Sequence, residues 1–192
     1  YYKNPEATAD TIDSDGWLHS GDKGEIDEDG YVKITGRIKE LYVSSGGKNI
    51  APLVIEETMK SIPMVSQCML IGDGRKYCSA LFTLDIGAIL RDKHGMDPAK
   101  IPKDPAVQIT TLEGFGKTVS DYTDSEEIFN EMQAEVTRLN GQFSNPEQIK
   151  KFTILPRDLN VDFGELTPTL KIRRIQIREN WSAEIEAMYE GA

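Results

Sequence analysis

"VSQCMLIGDGRKYCSALFTL", residues 65–84, sets two apolar runs on either side of Gly72-Asp73-Gly74-Arg75. A glycine-bearing turn between two such runs is a strong short-range hairpin signal, because glycine reaches the positive φ that tight turns require. Strands are therefore expected at 65–71 and 77–84. Upstream, Pro52 suits a first helical turn, and Ile55, Met59 and Ile62 recur at i, i+4 and i+7. That spacing predicts an amphipathic helix over 52–62, ended by Pro63. Farther upstream, Asp27-Glu28-Asp29-Gly30 reads as a second hairpin turn between 24–26 and 31–35, where Tyr31, Lys33 and Thr35 alternate with Val32 and Ile34. Residues 17–19 and 38–43 read as short strands, and 1–16 as loop or short helix.

Downstream of the central hairpin the signals thin out. Residues 86–95 read as a modest helix, and the Pro-, Lys- and Asp-rich stretch 97–106 as surface loop. Asp124, followed by Ser125, Glu126 and Glu127, opens a helix in which Ile128, Met132, Val136 and Leu139 repeat at 4, 4 and 3, and Asn140-Gly141 stops it. Residues 151–155 form a strand closed by Pro156, and 181–188 a last helix. Strands and helices mix without a βαβ rhythm, so an α+β fold of small mixed sheets with flanking helices is expected.

A chain of 192 residues, 39% hydrophobic and 28% charged, can bury a sizeable core. Its net charge of −10 argues against a nucleic-acid partner, which would need a basic face. Nucleotides are not excluded, since a few local cations and backbone amides can hold them. No apolar run approaches the ~20 residues of a membrane-spanning helix; peripheral membrane contact stays open. Cys68 and Cys78 sit in apolar segments without CxxC spacing and read as buried free thiols of a cytoplasmic protein. His19 and His94 are isolated, so no zinc constellation is expected. The opening Tyr1-Tyr2-Lys3-Asn4-Pro5, without methionine, suggests a fragment of a longer polypeptide.

Four stretches could carry chemistry. Asp22, in "HSGD", either accepts local N–H bonds in a turn or accepts hydrogen bonds from a diol such as a ribose. Arg37, in "TGRIKE", is either a solvated strand-end cation or a guanidinium brought close to a sugar or phosphate beside glycine. "SSGGKN", residues 44–49, reads as a loop between strand and helix that cradles phosphate, changes conformation, or only turns; GxxxxGK[ST] is absent. Lys171, in "FGELTPTLKIRR", is either solvated or a cation placed where a carboxylate meets a phosphate.

Taken in order, these pieces resemble the adenylate-forming superfamily of acyl-CoA synthetases, peptide-synthetase adenylation domains and firefly luciferase. "GWLHSGDKGEIDEDGYVKITGRIKELYVSSGGKNIAPLVIE" is similar to the family's ribose-binding, hinge and loop–helix motifs, and "LTPTLKIRR" to its C-terminal lysine motif. "SSGGKNIAP", with an insert at about 87–150, looks most like the long-chain fatty-acyl-CoA synthetases. The resemblance implies ATP-dependent activation of a fatty acid to acyl-AMP, then thioester formation with CoA, with Mg²⁺ as the companion of ATP. It implies that residues 1–38 are the last strands of a large N-terminal adenylation domain, the partner of a mobile lid at 39–192. Asp22 and Arg37 would bind the ribose, Lys39 would be the hinge, Lys171 the catalytic cation, and Ser45, Gly46 and Gly47 would line the CoA side. Glu56 matches a helix acid read as structural. Most sites for ATP, Mg²⁺ and CoA would lie outside this chain, which alone is expected to be inactive. Many family members carry glycine where this chain has Leu170, a change expected to stiffen the loop. Two alternatives fit the same residues: another ligase of the superfamily, such as an aryl-acid–CoA ligase or acyl-AMP ligase, and a non-catalytic interaction domain with the lid fold.

Overall fold

A computed structural model describes residues 1–44 and 46–191. The chain opens with α1 (Pro5–Thr11), whose first turn is capped by Asn4 Oδ1 accepting from the Ala7 amide. β1 (Asp22–Ile26) and β2 (Val32–Arg37) form the first hairpin. Its turn is held by Asp27 Oδ1, which accepts from the amides of Asp29 and Tyr31, and by Gly30 at φ 87°. A 3₁₀ turn, Ile38–Glu40, leads into β3 (Tyr42–Val43), which pairs with β4 (Asn49–Ile50) ahead of α2 (Pro52–Met59). β5 (Val65–Ile71) and β6 (Cys78–Leu84) follow, then α3 (Ile86–Asp92), α4 (Pro105–Gly114), α5 (Ser120–Thr123) and α6 (Glu126–Asn140). β7 (Ile149–Ile154), α7 (Arg174–Asn180) and α8 (Ser182–Ala187) complete the order.

The expected hairpin at 65–84 is the centre of the molecule. β5 and β6 pair antiparallel, with Cys68 opposite Phe82 and Leu70 opposite Ala80, and β7 adds to the other edge of β6. Every residue of β6 is buried. One face of this sheet presents Leu70, Ala80 and Phe82 to Ile55, Met59 and Met132. The other presents Met69 and Leu81 to Ile177, Trp181 and Ile185. A strand covered on both faces needs an almost continuous apolar run, and "CSALFTL" is one. Its two hydroxyls are satisfied, Ser79 against Tyr189 and Thr83 against Asp158. Cys68 and Cys78 are both free and buried, as expected.

Several expectations need correction. β6 and β7 run parallel, joined through α3 to α6. The sheets are small and mixed as expected, but a helical crossover stands where no βαβ rhythm was read, and the insert at about 87–150 is that crossover. Residues 38–43 are no single strand: the Ile38 amide donates to Gly21 O and the chain turns at Lys39. Residues 17–19 make only an isolated bridge, Leu18 to Ile12. The helix at 52 ends at Met59, and Ile62 is buried in the following turn. Ser125 rather than Asp124 caps α6, its Oγ accepting from the Ile128 amide. α4, α5 and α7 were not anticipated, and α4 starts inside the stretch assigned to surface loop.

Candidate functional site

Three groups of the anticipated residues can be located. The first lies at the open end of the β1–β2 hairpin, where Asp22 and Arg37 are direct cross-strand partners. Arg37 Nε stands 3.5 Å from Asp22 Oδ1, and the Asp22 amide is 3.2 Å from Ser20 Oγ. Both residues are exposed, so the pair contributes little to stability. What it offers is a solvent-facing carboxylate with free lone pairs beside a planar donor, an arrangement suited to vicinal hydroxyls.

The second group surrounds Lys39 and Lys171. Lys39 sits in the 3₁₀ turn immediately after Arg37 and lines a cleft of about 480 Å³ together with Glu40, Tyr42, Ile172 and Arg173. Lys171 stands exposed on a tight hairpin bridged at Leu166 and Ile172. The Thr167 amide donates to Lys171 O and the Leu170 amide to Thr167 O, both at 2.8 Å, while Thr167 Oγ1 accepts from the Lys171 amide at 3.0 Å. Leu170 takes φ 59°. A three-residue loop that closes on a left-handed residue is a standard hairpin solution, and glycine is the residue that enters it without strain. Leucine there carries a steric cost of roughly 1–2 kcal/mol. Leu170→Gly should therefore raise stability by about 0.5–1 kcal/mol, the gain being trimmed by the greater freedom of glycine in the unfolded chain. An unchanged or lower urea midpoint would contradict this.

Two buried carboxylates hold the base of that hairpin. Glu165 is fully buried and accepts from both Arg157 nitrogens at 2.7 and 2.8 Å, from Trp181 Nε1 at 2.8 Å and from the Asn160 amide at 3.2 Å. Glu56 on α2 accepts from Arg174 Nη1 and Nη2, both at 2.6 Å, and from the Leu70 amide at 2.7 Å. Burial disfavours the charge on Arg174, but Glu56 outweighs it and holds that guanidinium above its ordinary value. The structural reading of Glu56 stands.

The third group is the glycine loop, and here the setting differs from expectation. Gly46 and Gly47 turn the chain between β3 and β4, two strands, rather than between a strand and a helix. Ser45 lies outside the described residues. The loop is closed by Ser44 N–H to Lys48 O, Gly47 N–H to Ser44 O and Lys48 N–H to Ser44 Oγ, at 2.8–2.9 Å. Gly47 is required by φ 77°, whereas Gly46 is required neither by φ nor by crowding: a Cβ there would meet only Ser44 Oγ at 4.0 Å. Gly46 opens onto a second cleft, of about 340 Å³, where Lys48, Arg75, Lys76 and Lys150 also gather. This cationic cleft was missed. Its partial signals were the lysine in "SSGGKN" and the "RK" after the central hairpin turn, but only the tertiary fold brings Lys150 to them. Cys78 also lines it, and burial pushes its thiol up to about 11, so it stays protonated and unreactive.

Residues 39–97 match the family described as AMP-binding enzyme C-terminal domain. Over 189 residues the chain is 37% identical to the long-chain-fatty-acid–CoA ligase FadD15 of Mycobacterium tuberculosis, covering 98% of this chain and 29% of that protein. It is 36% identical over 195 residues to the long-chain-fatty-acid–CoA ligase ACSBG1 of Mus musculus, covering 99% and 27%. Among solved structures, the A domain of a carboxylic acid reductase from Segniliparus rugosus, in complex with AMP and a co-purified carboxylic acid, superposes with a TM-score of 0.70. That match has 20% identity over 98% of this chain and 26% of the other, and it carries the fold alone. The fold is that of an adenylate-forming enzyme's C-terminal domain. The chain belongs to that family and corresponds to the C-terminal part of its long-chain-fatty-acid–CoA ligases. It spans under a third of the length of these curated relatives.

Proposed function

We propose that this chain is the C-terminal part of an ATP-dependent, AMP-forming ligase that joins a long-chain fatty acid to CoA. A carboxylate oxygen attacks the α-phosphorus of ATP and pyrophosphate leaves; the thiol of CoA then attacks the acyl carbonyl, losing its proton, and AMP departs. The observation that carries the reading is the order of parts along the chain. The Asp22–Arg37 pair precedes the turn at Lys39, and an exposed, hairpin-mounted Lys171 follows it.

In this reading Asp22 accepts hydrogen bonds from the ribose hydroxyls and Arg37 binds the same region. The Lys171 ammonium lies between two anions that repel each other, the acyl carboxylate and the triphosphate, and lowers the barrier to their approach. Once pyrophosphate has left, that cation occupies space the thiol must cross. Rotation about Lys39 withdraws it and turns the Gly46 loop to the reaction. Two features favour this assignment: Gly46 leaves its backbone open with no packing reason, and the adjoining cleft carries Lys76 and Lys150, suited to a phosphorylated thiol, beside Lys48 and Arg75, which already pair with Glu147 and Glu186. Among the described residues no three metal-ligating side chains converge, and the Mg²⁺ expected to accompany ATP would be held elsewhere. Its ligands, with the adenine and acyl pockets, belong to the proposed large domain.

The boundary at 38/39 is part of the proposal. Ile26, Tyr31, Val32 and Ile34 of the first hairpin are 54–73% exposed, and a solitary two-stranded hairpin is marginal in water. Residues 1–38 are accordingly assigned to the edge of the large domain and 39–192 to the lid. No helix among the described residues is long and apolar enough to cross a membrane. The test is direct: the full-length protein, given ATP, Mg²⁺, CoA and a long-chain fatty acid, should release AMP and acyl-CoA, and hydrolysis of ATP without thioester would overturn the proposal. Calorimetry on the 192-residue chain should show no ATP binding at submillimolar concentration, because a few ribose contacts do not offset the cost of association. Tight binding would mean a self-contained nucleotide site.

A further inference from the structure

Arg174 follows Lys171 by three residues and reaches the residues that flank the pivot. Its Nη1 donates to Glu56 at 2.6 Å and lies 3.4 Å from Tyr42 Oη; its Nε is 3.7 Å from Glu40. Tyr42 Oη in turn donates to Leu70 O at 2.7 Å, and Glu56 accepts from the amide of the same Leu70. One guanidinium thus connects Glu40 and Tyr42, just after the turn at Lys39, with α2, with the sheet, and with the start of α7, which follows the lysine hairpin. The Glu56 and Arg174 side chains are 5% and 17% exposed. A buried ion pair gains little net stability over an apolar pair of similar volume, whereas a bidentate fork fixes orientation in a way an apolar contact does not.

We infer that Glu56 and Arg174 are positioning residues that fix the distance and angle between the Lys39 pivot and the Lys171 ammonium. The inference rests on the proposed roles of those two lysines. A cation carried on a rotating body is useful only if the rotation delivers it to one place. Lys171 stands on an exposed loop whose own bonds are local, so its placement depends on what anchors the strands beneath it. Arg157 and Glu165 fix the incoming side within the lid's own loop. The Arg174–Glu56 fork ties the outgoing side to the residues beside the pivot.

The test uses the full-length enzyme with the two half-reactions assayed separately: pyrophosphate release from acid and ATP, and thioester formation from supplied acyl-adenylate. Glu56→Gln and Arg174→Lys should each lower kcat for adenylation by about 10- to 100-fold, the range set by misplacing a reacting group by about an ångström. KM for ATP and the rate of the second half-reaction should stay within about twofold. Glu56→Gln added to Lys171→Ala should cost adenylation nothing more, since the acid acts through the lysine. Equal losses in both half-reactions of a folded variant, or an additive loss on top of Lys171→Ala, would overturn the inference. If Lys171→Ala itself leaves adenylation intact, the functional reading fails instead. Should Glu56→Gln not fold, Arg174→Lys, which keeps the charge, and the surface change Glu40→Gln carry the same comparison.

Discussion

Lys171→Ala in the full-length enzyme is expected to cut acyl-adenylate formation by about 10²–10³-fold, the usual consequence of removing one charge-stabilising donor. CoA transfer to supplied adenylate should be largely spared. The reason is positional: Lys171 is exposed at the end of a tight hairpin, and its peptide neighbours are held by Thr167 rather than by the ammonium. Truncation therefore removes charge without disturbing the fold. Equal loss in the two half-reactions would be incompatible with one lid serving both steps in two poses.

Glu165→Ala should lower folding stability by about 3 kcal/mol, at the low end of the ~3–5 kcal/mol for breaking a buried pair, because Arg157 keeps 32% of its side chain in water. Urea denaturation measures it; a change below about 1 kcal/mol would show that water replaces the carboxylate at no cost. The same residue sets an acid limit. Burial alone would push the Glu165 carboxyl up, but hydrogen bonds from Arg157, Asn180, the Asn160 amide and Trp181 outweigh it and hold the group below its ordinary 4.5. A depressed folded-state value means the contribution is present above about pH 4.5 and lost as pH falls through the lower, folded value. Stability should decline on acidification below that point, and Glu165→Gln should flatten the decline.

How much of this was legible follows from distance along the chain. The central hairpin could be read because Gly72 to Arg75 and both flanking strands are contiguous, and α6 because four core residues repeat on one face. α4 escaped because only Leu112 of its ten residues is buried, and α7 because only Ile177 is, so neither leaves a periodic stripe. The parallel pairing of β6 with β7 had no local signal, since the whole helical insert intervenes. Within the site, Asp22 and Arg37 were each singled out separately, but their meeting depends on the register of β1 and β2. The Glu56–Arg174 fork joins residues 118 positions apart, and the cationic cleft assembles from segments as distant as Lys48 and Lys150. Neither could be seen without tertiary structure. The glycine loop was recognised but misplaced, because β4 is only two residues long and gives no strand pattern ahead of Pro52.

The parallel neighbour of β6 bears on how the polypeptide is made. One edge of that strand is satisfied by its own hairpin, but the other waits until α3, α4, α5 and α6 have all left the ribosome. Until then a row of unpaired amides and carbonyls lies along the most apolar strand, and closing so long a loop is slow. Nascent chains stalled inside the insert would offer that edge to one another, so self-association during synthesis should be greatest for truncations that stop short of residue 149 and should fall once β7 is included.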